Sequence, residues 1–465
     1  MFNHHVRHNG SAFLIVAALG TPMLASGTVG RGSSYRILPN GTYGNSTHQV
    51  EVVYEVNPEL AKYGFIGFNG VTLHNHSGLS GPSFKLQSTI FSNGYVDVPQ
   101  DVTIAGSIIA LDHVAIDSGS IVNGGIYSHS VSNAGTVNGG VKTVAAVKEL
   151  ASTATNYDRV DASGNKYAWF GGARTAGAYS GAGVVTGTKT SYTVADGDIF
   201  YSSIFLPDGS LASKPDVNVA KYIDPPQLDY RAMKAEADLN DPTYFTTSLA
   251  AMNYLRTKIV SETINGKTVK TIKVGTTTNP EFLYIVGDFD LNLTSSAFGS
   301  SNTGNNIAAD GLNLHGGMYV TGNVAIDGPF FDATKHPWPP DWYQVRINAL
   351  PYCLPAIIAY PQPPTGTVAT WTPANTPAMT GAASKITMSS GTGFFFFAGL
   401  TLSEGQTHLH HTNNSTELIR FVGAQMAYEI HNCDYVWFSY DPNVRCTRFL
   451  VNSNGTGDVS YGEIH

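Results

Sequence analysis

The sequence has few charged residues, few cysteines and none of the common zinc-binding spacings, and each shortage excludes a class of protein. Only 13% of the 465 residues are charged, and the formal net charge is -8. A surface of this sign repels a phosphate backbone, so nucleic acid is excluded as a partner. Three cysteines are too few for a disulfide scaffold. The spacings C-x-x-C and H-E-x-x-H are absent, which excludes the usual zinc sites.

Glycine (49 residues) and tyrosine (24 residues) are abundant, as in β-rich extracellular proteins. Three stretches, Tyr95–Val141, Phe282–Pro329 and Phe394–Asp441, consist of short apolar–polar alternations separated by Gly, Asn and Asp. Alternation with period two points one set of side chains inward. Short strands joined by such corners are typical of chains that coil into stacked rungs. The sequence therefore predicts a mainly β fold, a single-stranded parallel β-solenoid.

The repeated stretches and the breaks between them predict seven segments. They are an export signal or N-terminal anchor at 1–27, a linker and first strand at 28–60, a first part of the solenoid with a Gly-rich irregular region at 61–225, a helical segment at 226–260, a second part of the solenoid at 261–330, a Pro-rich side insertion at 331–380, and a third part with a C-terminal tail at 381–465. Prolines preclude regular strands across much of the insertion, which is predicted to pack Trp338, Trp342 and Trp371 against the solenoid.

Local patterns predict structure between the repeated strands. Helix formers follow a Pro-Pro pair over residues 230–238, and a second short helix is predicted at Thr247–Leu255. Asn265-Gly266 between alternating flanks predicts a hairpin with a two-residue turn. The composition of Lys142–Leu150 favours two helical turns.

The N-terminal segment has the pattern of an export signal. An apolar run, Ala12–Ala25, follows a short segment that has a basic residue and no acid. The run falls short of the roughly 20 apolar residues that span a membrane, and Gly27 completes a cleavage pattern of small residues. Gly10-Ser11 also matches a prepilin-type processing site, although Ile15 stands where prepilins carry Glu. The sequence thus predicts an exported protein, either extracellular or on the cell surface. Only this segment is predicted to contact a membrane.

Several phrases occur in a distinctive order along the chain. After the apolar segment come Gly67–Leu73, the run Pro-Pro-x-Leu-Asp-Tyr-x-Ala-Met-Lys-Ala-Glu-Ala that starts at residue 225, Tyr284–Asp288, Met318–Val324 and Tyr440–Val444. In this order the chain resembles PilX-like, pilus-assembly-associated bacterial surface proteins, in which a pilin-like N-terminus precedes a right-handed or bactofilin-like β-solenoid. The resemblance implies a structural or adhesive role without catalysis or cofactor. It also implies pilus subunits, surface-layer subunits or glycans as partners.

Four aspartates are the candidates for carbohydrate chemistry. β-Helix enzymes that cleave acidic polysaccharides bring two or three carboxylates together on one face. Asp288 and Asp290 have the spacing that places them on one face of a strand, and Asp310 or Asp327 is expected on an adjacent rung. Alternatively, Asp288 and Asp327 are turn residues beside glycine. A carbohydrate-active β-helix enzyme, a polysaccharide hydrolase or lyase, is therefore the alternative function, and no residue is assigned as catalytic.

Histidines and cysteines near the C-terminus are the remaining candidates. His408 and His410 share a strand face, and His431 from a neighbouring rung is able to complete a metal site. Stacked surface histidines need no metal, however, so no metal cofactor is predicted. Cys433 and Cys446 are placed to form a disulfide across neighbouring strands, with buried free cysteines as the alternative.

Overall fold

A computed structural model describes most of the repeated strands and their connections. The described residues are 34–37, 40–43, 46–55, 63–74, 84–144, 147–150, 159–160, 166–169, 178–192, 223, 225–230, 233, 244–264, 267–276, 281–293, 304–328, 356–367, 370–390, 395–411, 419–433, 436–440, 450–451 and 458–464. Gly10, Ser11, Gly27 and Cys446 lie outside them, so the predicted processing sites and disulfide do too. Most of the helix predicted over residues 230–238 is also outside them.

This part of the chain is mainly β, which confirms the predicted class. The first strands are β1 (Ser34–Ile37), β2 (Asn40–Tyr43), β3 (Ser46–Glu55), β4 (Phe65–His74), β5 (Phe84–Gln87), β6 (Ile90–Ser92), β7 (Tyr95–Val98), β8 (Val102–Ile104), β9 (Ile108–Ile116), β10 (Ile121–Val122), β11 (Ile126–Asn133), β12 (Thr136–Val137), β13 (Val141–Val144), β14 (Val147–Leu150), β15 (Arg159–Val160), β16 (Lys166–Trp169), β17 (Ala178–Ser180), β18 (Val184–Val185) and β19 (Lys189–Tyr192).

The chain continues with β20 (Gln227–Leu228), β21 (Tyr244–Phe245), helix α1 (Ser248–Thr257), β22 (Ile259–Ile264), β23 (Lys267–Val274), β24 (Glu281–Ile285), β25 (Phe289–Leu293), β26 (Asn306–Ile307), β27 (Gly311–Leu314), β28 (Gly316–Val320), β29 (Val324–Asp327), β30 (Ala356–Ala359), a 3₁₀ turn (Pro373–Asn375), β31 (Ile386–Ser390), β32 (Phe395–His411), β33 (Ile419–Cys433), β34 (Val436–Tyr440), β35 (Leu450–Val451) and β36 (Asp458–Ile464).

Twenty-four of these strands form one sheet whose strands pair in parallel along three ladders. The first ladder runs through β21, β24, β28, β30, β32, β33, β4, β6, β9, β11, β13 and β19. The second runs through β25, β29, β31, β32, β33, β4, β7, β9, β11 and β17. The third runs through β32, β33, β34, β5, β8, β10, β12 and β18. Strands β32 and β33 are long enough to take part in all three.

Inward side chains from the three ladders form one buried apolar cluster. Successive partners are Ile90, Ile108 and Ile126 in the first ladder, Val71, Val96, Val114 and Val131 in the second, and Leu86, Ile104, Val122 and Val137 in the third. Burial of each such side chain contributes about 1.5–3 kcal/mol. The chain bends tightly between ladders, as at Gly423 (φ 139°), where a Cβ atom would lie 1.9 Å from the carbonyl oxygen of Gly399.

The order of strands in the sheet differs from their order in the chain. Strands β33 and β34, close to the C-terminus, pair with β4 and β5, close to the N-terminus. We call this pairing the junction. Asn69 Nδ2 also donates to Glu429 Oε1 across it, at 2.9 Å. The sheet therefore consists of two parts, residues 65–192 and 244–440, joined side by side by backbone pairing. Strands β1–β3 and β36 form a separate antiparallel sheet, so the two ends of the described chain also meet.

Helix α1 lies where the sequence predicts a short helix. Thr247 caps it by accepting a bond from the backbone of Ala250 at 3.2 Å, and Ala251, Met252 and Leu255 pack into the interior cluster. The predicted hairpin is also present, because β22 and β23 pair in antiparallel orientation up to Ile264 and Lys267. No helix within the described ranges is long and apolar enough to cross a membrane.

Two segments differ from expectation. The prediction of two helical turns at Lys142–Leu150 is wrong. Strands β13 and β14 occupy this range, and β13 pairs in parallel with both β11 and β19. Tertiary pairing outweighs the weak local helix preference there. The segment predicted as a Pro-rich insertion contains β30, which pairs on both sides in the first ladder. Of the three tryptophans expected to pack, Trp371 is 6% exposed and packs on Tyr230, with ring centroids 5.4 Å apart, whereas Trp338 and Trp342 lie outside the described residues.

A second apolar cluster covers the outward side of the first ladder. Tyr284 and Tyr319 are direct partners there, and their ring centroids lie 4.9 Å apart. Leu228, Tyr230 and Trp371 pack over them. This side of the first ladder is therefore buried, and the described outward surface lies mainly on the other two ladders.

Candidate functional site

The outward side of the second ladder carries a continuous row of mostly polar side chains, which we call the polar face. In the order of the strands, its members are Asp290, Ala325, Thr387, His408, His431, Thr72, Asp97, Ala115, Ser132 and Ser180. All ten are half-buried or exposed, whereas the residues on either side of them along each strand are largely buried. Period-two alternation thus places one residue of every strand on the same surface.

Four histidines meet on this face at the junction, and we call them the histidine stack. His408 and His431 are direct partners on β32 and β33, with ring centroids 5.1 Å apart and ring planes at 28° to each other. His410 lies 5.3 Å from His408, and His74 lies 4.1 Å from His431. The stack therefore includes side chains from both parts of the sheet.

Polar neighbours hold part of the stack in place. Gln406 Nε2 lies 3.0 Å from His431 Nδ1. In contrast, His74 Nε2 and His410 Nδ1 are buried and have no hydrogen-bond partner among the described residues. The stack is thus compact and only partly hydrogen-bonded.

The pKa values of two rings reflect this environment. Burial, and then the other three imidazoles of the stack, lower the pKa of His408 to about 4. Burial and then His74 lower the pKa of His431, whereas Glu429 opposes that shift. His408 and His431 are therefore uncharged at neutral pH and pack as neutral aromatic rings.

We expect His408 and His431 to make the fold sensitive to acid. Because its pKa is lowered, His408 takes up its proton at a lower pH in the folded chain than in the unfolded chain, where its pKa has the ordinary value of 6.5. The unfolded chain is therefore favoured as the pH falls from about 6.5 to about 4, and full stability returns above that window. For His408 the loss is on the order of 2 kcal/mol, once the shift is discounted for partial exposure of the ring. Thermal unfolding followed by circular dichroism at pH 7.5, 5.5 and 4.5 measures it.

The variant His408→Gln isolates this effect. It removes one titrating ring, so its stability should decline less than that of the natural chain between pH 6.5 and 4. Thr387→Ser, at the neighbouring position of the polar face, does not titrate and should keep the natural pH profile. A His408→Gln profile parallel to that of the natural chain would contradict the assignment.

Two of the four candidate aspartates hold backbone corners. Asp288 Oδ1 accepts a bond from the backbone nitrogen of Asn323 at 2.7 Å, which ties one corner to the next. Asp310 Oδ2 accepts a bond from the backbone nitrogen of Lys270 at 2.8 Å, beside the β22–β23 hairpin. These carboxylates satisfy backbone donors, as expected for turn residues.

The other two aspartates lie on the polar side of the second ladder. Asp327 pairs with Asn292, two residues beyond Asp290 on β25, so the two aspartates are diagonal neighbours on one surface. Burial, and then the charge of Asp290, raise the pKa of Asp327. The Ser389 hydroxyl donates to the Asp327 carboxylate, and Asn305 Nδ2 donates to Asp290 Oδ2 at 2.6 Å. A raised-pKa acid thus lies near a second carboxylate.

The structure brings together His408, His410 and His431, as their spacing indicates, and adds His74. Across the residues that the structure describes, no group of three or more His, Cys, Asp or Glu side chains converges as metal ligands do. Neighbouring rings of the stack are tilted by 28° to 36° to each other, with centroids 4.1 to 5.3 Å apart. Cys433 is the direct partner of His74 on the neighbouring strand.

Sequence reasoning did not select His74. Its position in the stack depends on the pairing of β4 with β33, whose residues are more than 300 positions apart. The alternation of side chains in Phe65–His74 predicts a strand and indicates which of its sides faces outward. No local pattern identifies the strand with which it pairs.

Comparison with known proteins identifies no relative of this chain. No protein-family model, curated protein sequence or solved structure matches the chain. Its function is therefore inferred from the geometry of its own residues.

Proposed function

We propose that the chain is an exported, parallel β-solenoid with a structural or adhesive role, and that the polar face is its binding surface. The partner is a glycan or a neighbouring subunit at the bacterial cell surface or on an appendage, in line with the resemblance to PilX-like proteins. Segment 1–27 supplies the export signal or anchor. The observation that carries the proposal is the alignment of ten outward positions along one parallel ladder.

The dimensions of the polar face suit an extended partner. Neighbouring strands lie about 4.8 Å apart, so ten strands present a surface about 43 Å long. Backbone pairing and interior packing fix the spacing along it, which lowers the entropic cost of binding a long ligand. A rigid row of this length supports the binding of a chain of repeating units.

The chemistry of the face supports a polar partner. Hydroxyl groups at Thr72, Thr387 and Ser132 both donate and accept hydrogen bonds. The half-buried rings of the histidine stack add ring nitrogens, which donate or accept hydrogen bonds. These are the groups that recognise glycans or the polar surface of another subunit.

A binding experiment with the full chain tests the proposal. Ser132 and Ser180 are exposed members of the face, and the double substitution Ser132→Arg/Ser180→Arg places two bulky cations on it. We expect this variant to lose binding to surface glycans on an array, or assembly with further copies in negative-stain images, by about tenfold or more. Thr186→Arg is the matched control, because Thr186 is equally exposed and follows β18 in the third ladder. Retained binding in the Ser132→Arg/Ser180→Arg variant, or loss in the control, would count against the face.

The carbohydrate-active enzyme is a second candidate, supported by Asp327 and Asp290. A carboxyl group with a raised pKa near a second carboxylate is the arrangement that glycoside hydrolysis uses. Diagonal neighbours of this kind lie roughly 7–8 Å apart. Release of new sugar ends in the same glycan assay, abolished by Asp327→Asn, would favour the enzyme over the binder.

A further inference from the structure

Three inward rows of the sheet are apolar except on two adjacent strands. One row contains Leu283, Met318, Ile357, Thr401, Gln425, Phe65, Ile90 and Ile108. The next contains Val324, Ile386, Thr407, Ile430, Val71 and Val96. The third contains Ile326, Met388, Leu409, Asn432 and Leu73. All the polar members lie on β32 and β33.

We call Thr401, Thr407, Gln425 and Asn432 the interior polar layer. Each is 0% exposed. The layer lies directly beside the junction, because Gln425 pairs with Phe65 and Asn432 pairs with Leu73. The layer therefore interrupts the apolar interior where the two parts of the sheet meet.

Hydrogen bonds satisfy only part of the layer. Asn432 Nδ2 donates to Gln425 Oε1 at 3.0 Å, and Asn432 Oδ1 accepts from the backbone nitrogen of Leu409 at 3.3 Å. Thr401 Oγ1, Thr407 Oγ1 and Gln425 Nε2 have no partner among the described residues. Leaving one such group dry inside a protein is costly, and native interiors satisfy them with ordered water.

We propose that the interior polar layer is a binding site for ordered water. Thr401 and Gln425 are direct partners on adjacent strands, so a single water can accept from the Gln425 amide and bond to the Thr401 hydroxyl. Thr407 faces the same interior from the second ladder and takes a second water. The free amide nitrogen of Gln425 is a donor only, so it repels a cation and fits the oxygen of water.

The site explains how polar residues are kept in this interior. Each water replaces a hydrogen bond that the protein does not supply, which removes the cost of burying the three groups. A layer linked through water also fixes which strands lie side by side at the junction, because an apolar strand placed there would leave the water unpaired.

A crystal structure of the full chain that resolves ordered solvent tests the proposal directly. We expect water oxygens about 2.7–3.2 Å from Gln425 Nε2 and from each threonine Oγ1. An empty interior would overturn the proposal. An anomalous peak at this place after a bromide soak would overturn it as well, since it would identify an anion site.

Substitution supplies an independent test with opposite expected signs. If water is bound, the nearly isosteric double variant Thr401→Val/Thr407→Val takes partners away from it and lowers the Tm by about 2 °C or more. If the interior is dry, the same variant removes two unpaired hydroxyl groups and raises the Tm, which would contradict the proposal. Val96→Thr, the reverse change within an apolar row, is the control and should lower the Tm. Should the double variant fail to fold, the crystal structure of the natural chain decides alone.

Discussion

Replacing Phe438 by alanine is expected to destabilise the chain by about 3–5 kcal/mol. Phe438 is fully buried, and its ring meets Phe65 edge to face at 4.3 Å and stacks on Phe421 at 5.0 Å. These three rings belong to both parts of the sheet, because β34 pairs with β33 on one side and with β5 on the other. The substitution removes the aromatic contacts and leaves a cavity at the junction.

Denaturant unfolding followed by circular dichroism measures this loss. Leu249→Ala is the control, because Leu249 is 58% exposed on helix α1 and its truncation should change stability by less than about 0.5 kcal/mol. Hydrogen exchange should locate the effect, with faster exchange in β4, β5, β33 and β34 than elsewhere in the sheet. A loss below about 1 kcal/mol would mean that the junction tolerates a cavity and does not depend on this ring.

Replacing Glu404 by alanine is expected to cost a similar 3–5 kcal/mol, because each buried donor left without an acceptor costs about 1–3 kcal/mol. Glu404 is 1% exposed, and its carboxylate closes the turn before β31. Its Oε1 accepts from the backbone nitrogens of Thr380 and Gly381 at 2.6 and 2.9 Å and from the Thr380 hydroxyl at 2.8 Å, while Oε2 accepts from the backbone nitrogen of Ala383 at 2.7 Å. Alanine would leave all four donors without an acceptor.

The matched variant Glu404→Gln separates charge from shape. Glutamine keeps the size of the side chain and one acceptor oxygen, but its NH2 group faces a backbone donor. We expect Glu404→Gln to lower the free energy of unfolding by about 1.5–3 kcal/mol, which is less than the loss in Glu404→Ala. Tm and the midpoint of urea unfolding measure both variants. Equal stability of Glu404→Gln and the natural chain would show that the four bonds need no negative charge.

Local patterns in the sequence predicted the features that depend on neighbouring residues. Alternation over Val96–Val98 and Val114–Ile116 indicated strands with one buried side, and both are strands of that kind. Asn265-Gly266 indicated the hairpin, and the pattern at Thr247–Leu255 indicated helix α1. Each of these signals lies within a dozen residues, because turns and helix caps are formed by groups close in the chain.

Sequence patterns were less informative where tertiary pairing decides. Lys142–Leu150 has helix-compatible residues, yet β13 lies between two parallel partners that complete its hydrogen bonds. The apolar run of β30 has only four residues, too few to be recognised as a strand among prolines, although all four are buried in the sheet. A strand that is buried on both sides owes its conformation to its neighbours more than to its own composition.

The sequence alone determined that this chain is mainly β, with one side of its strands buried, few charges and histidines at strand spacing near the C-terminus. Only the tertiary structure decided that β33 pairs with β4, which brings His74 to His431 and sets the interior polar layer beside Phe65. The physical reason is that the period of a strand specifies which side faces inward. It does not specify which free edge, up to 360 residues away, completes its backbone hydrogen bonds.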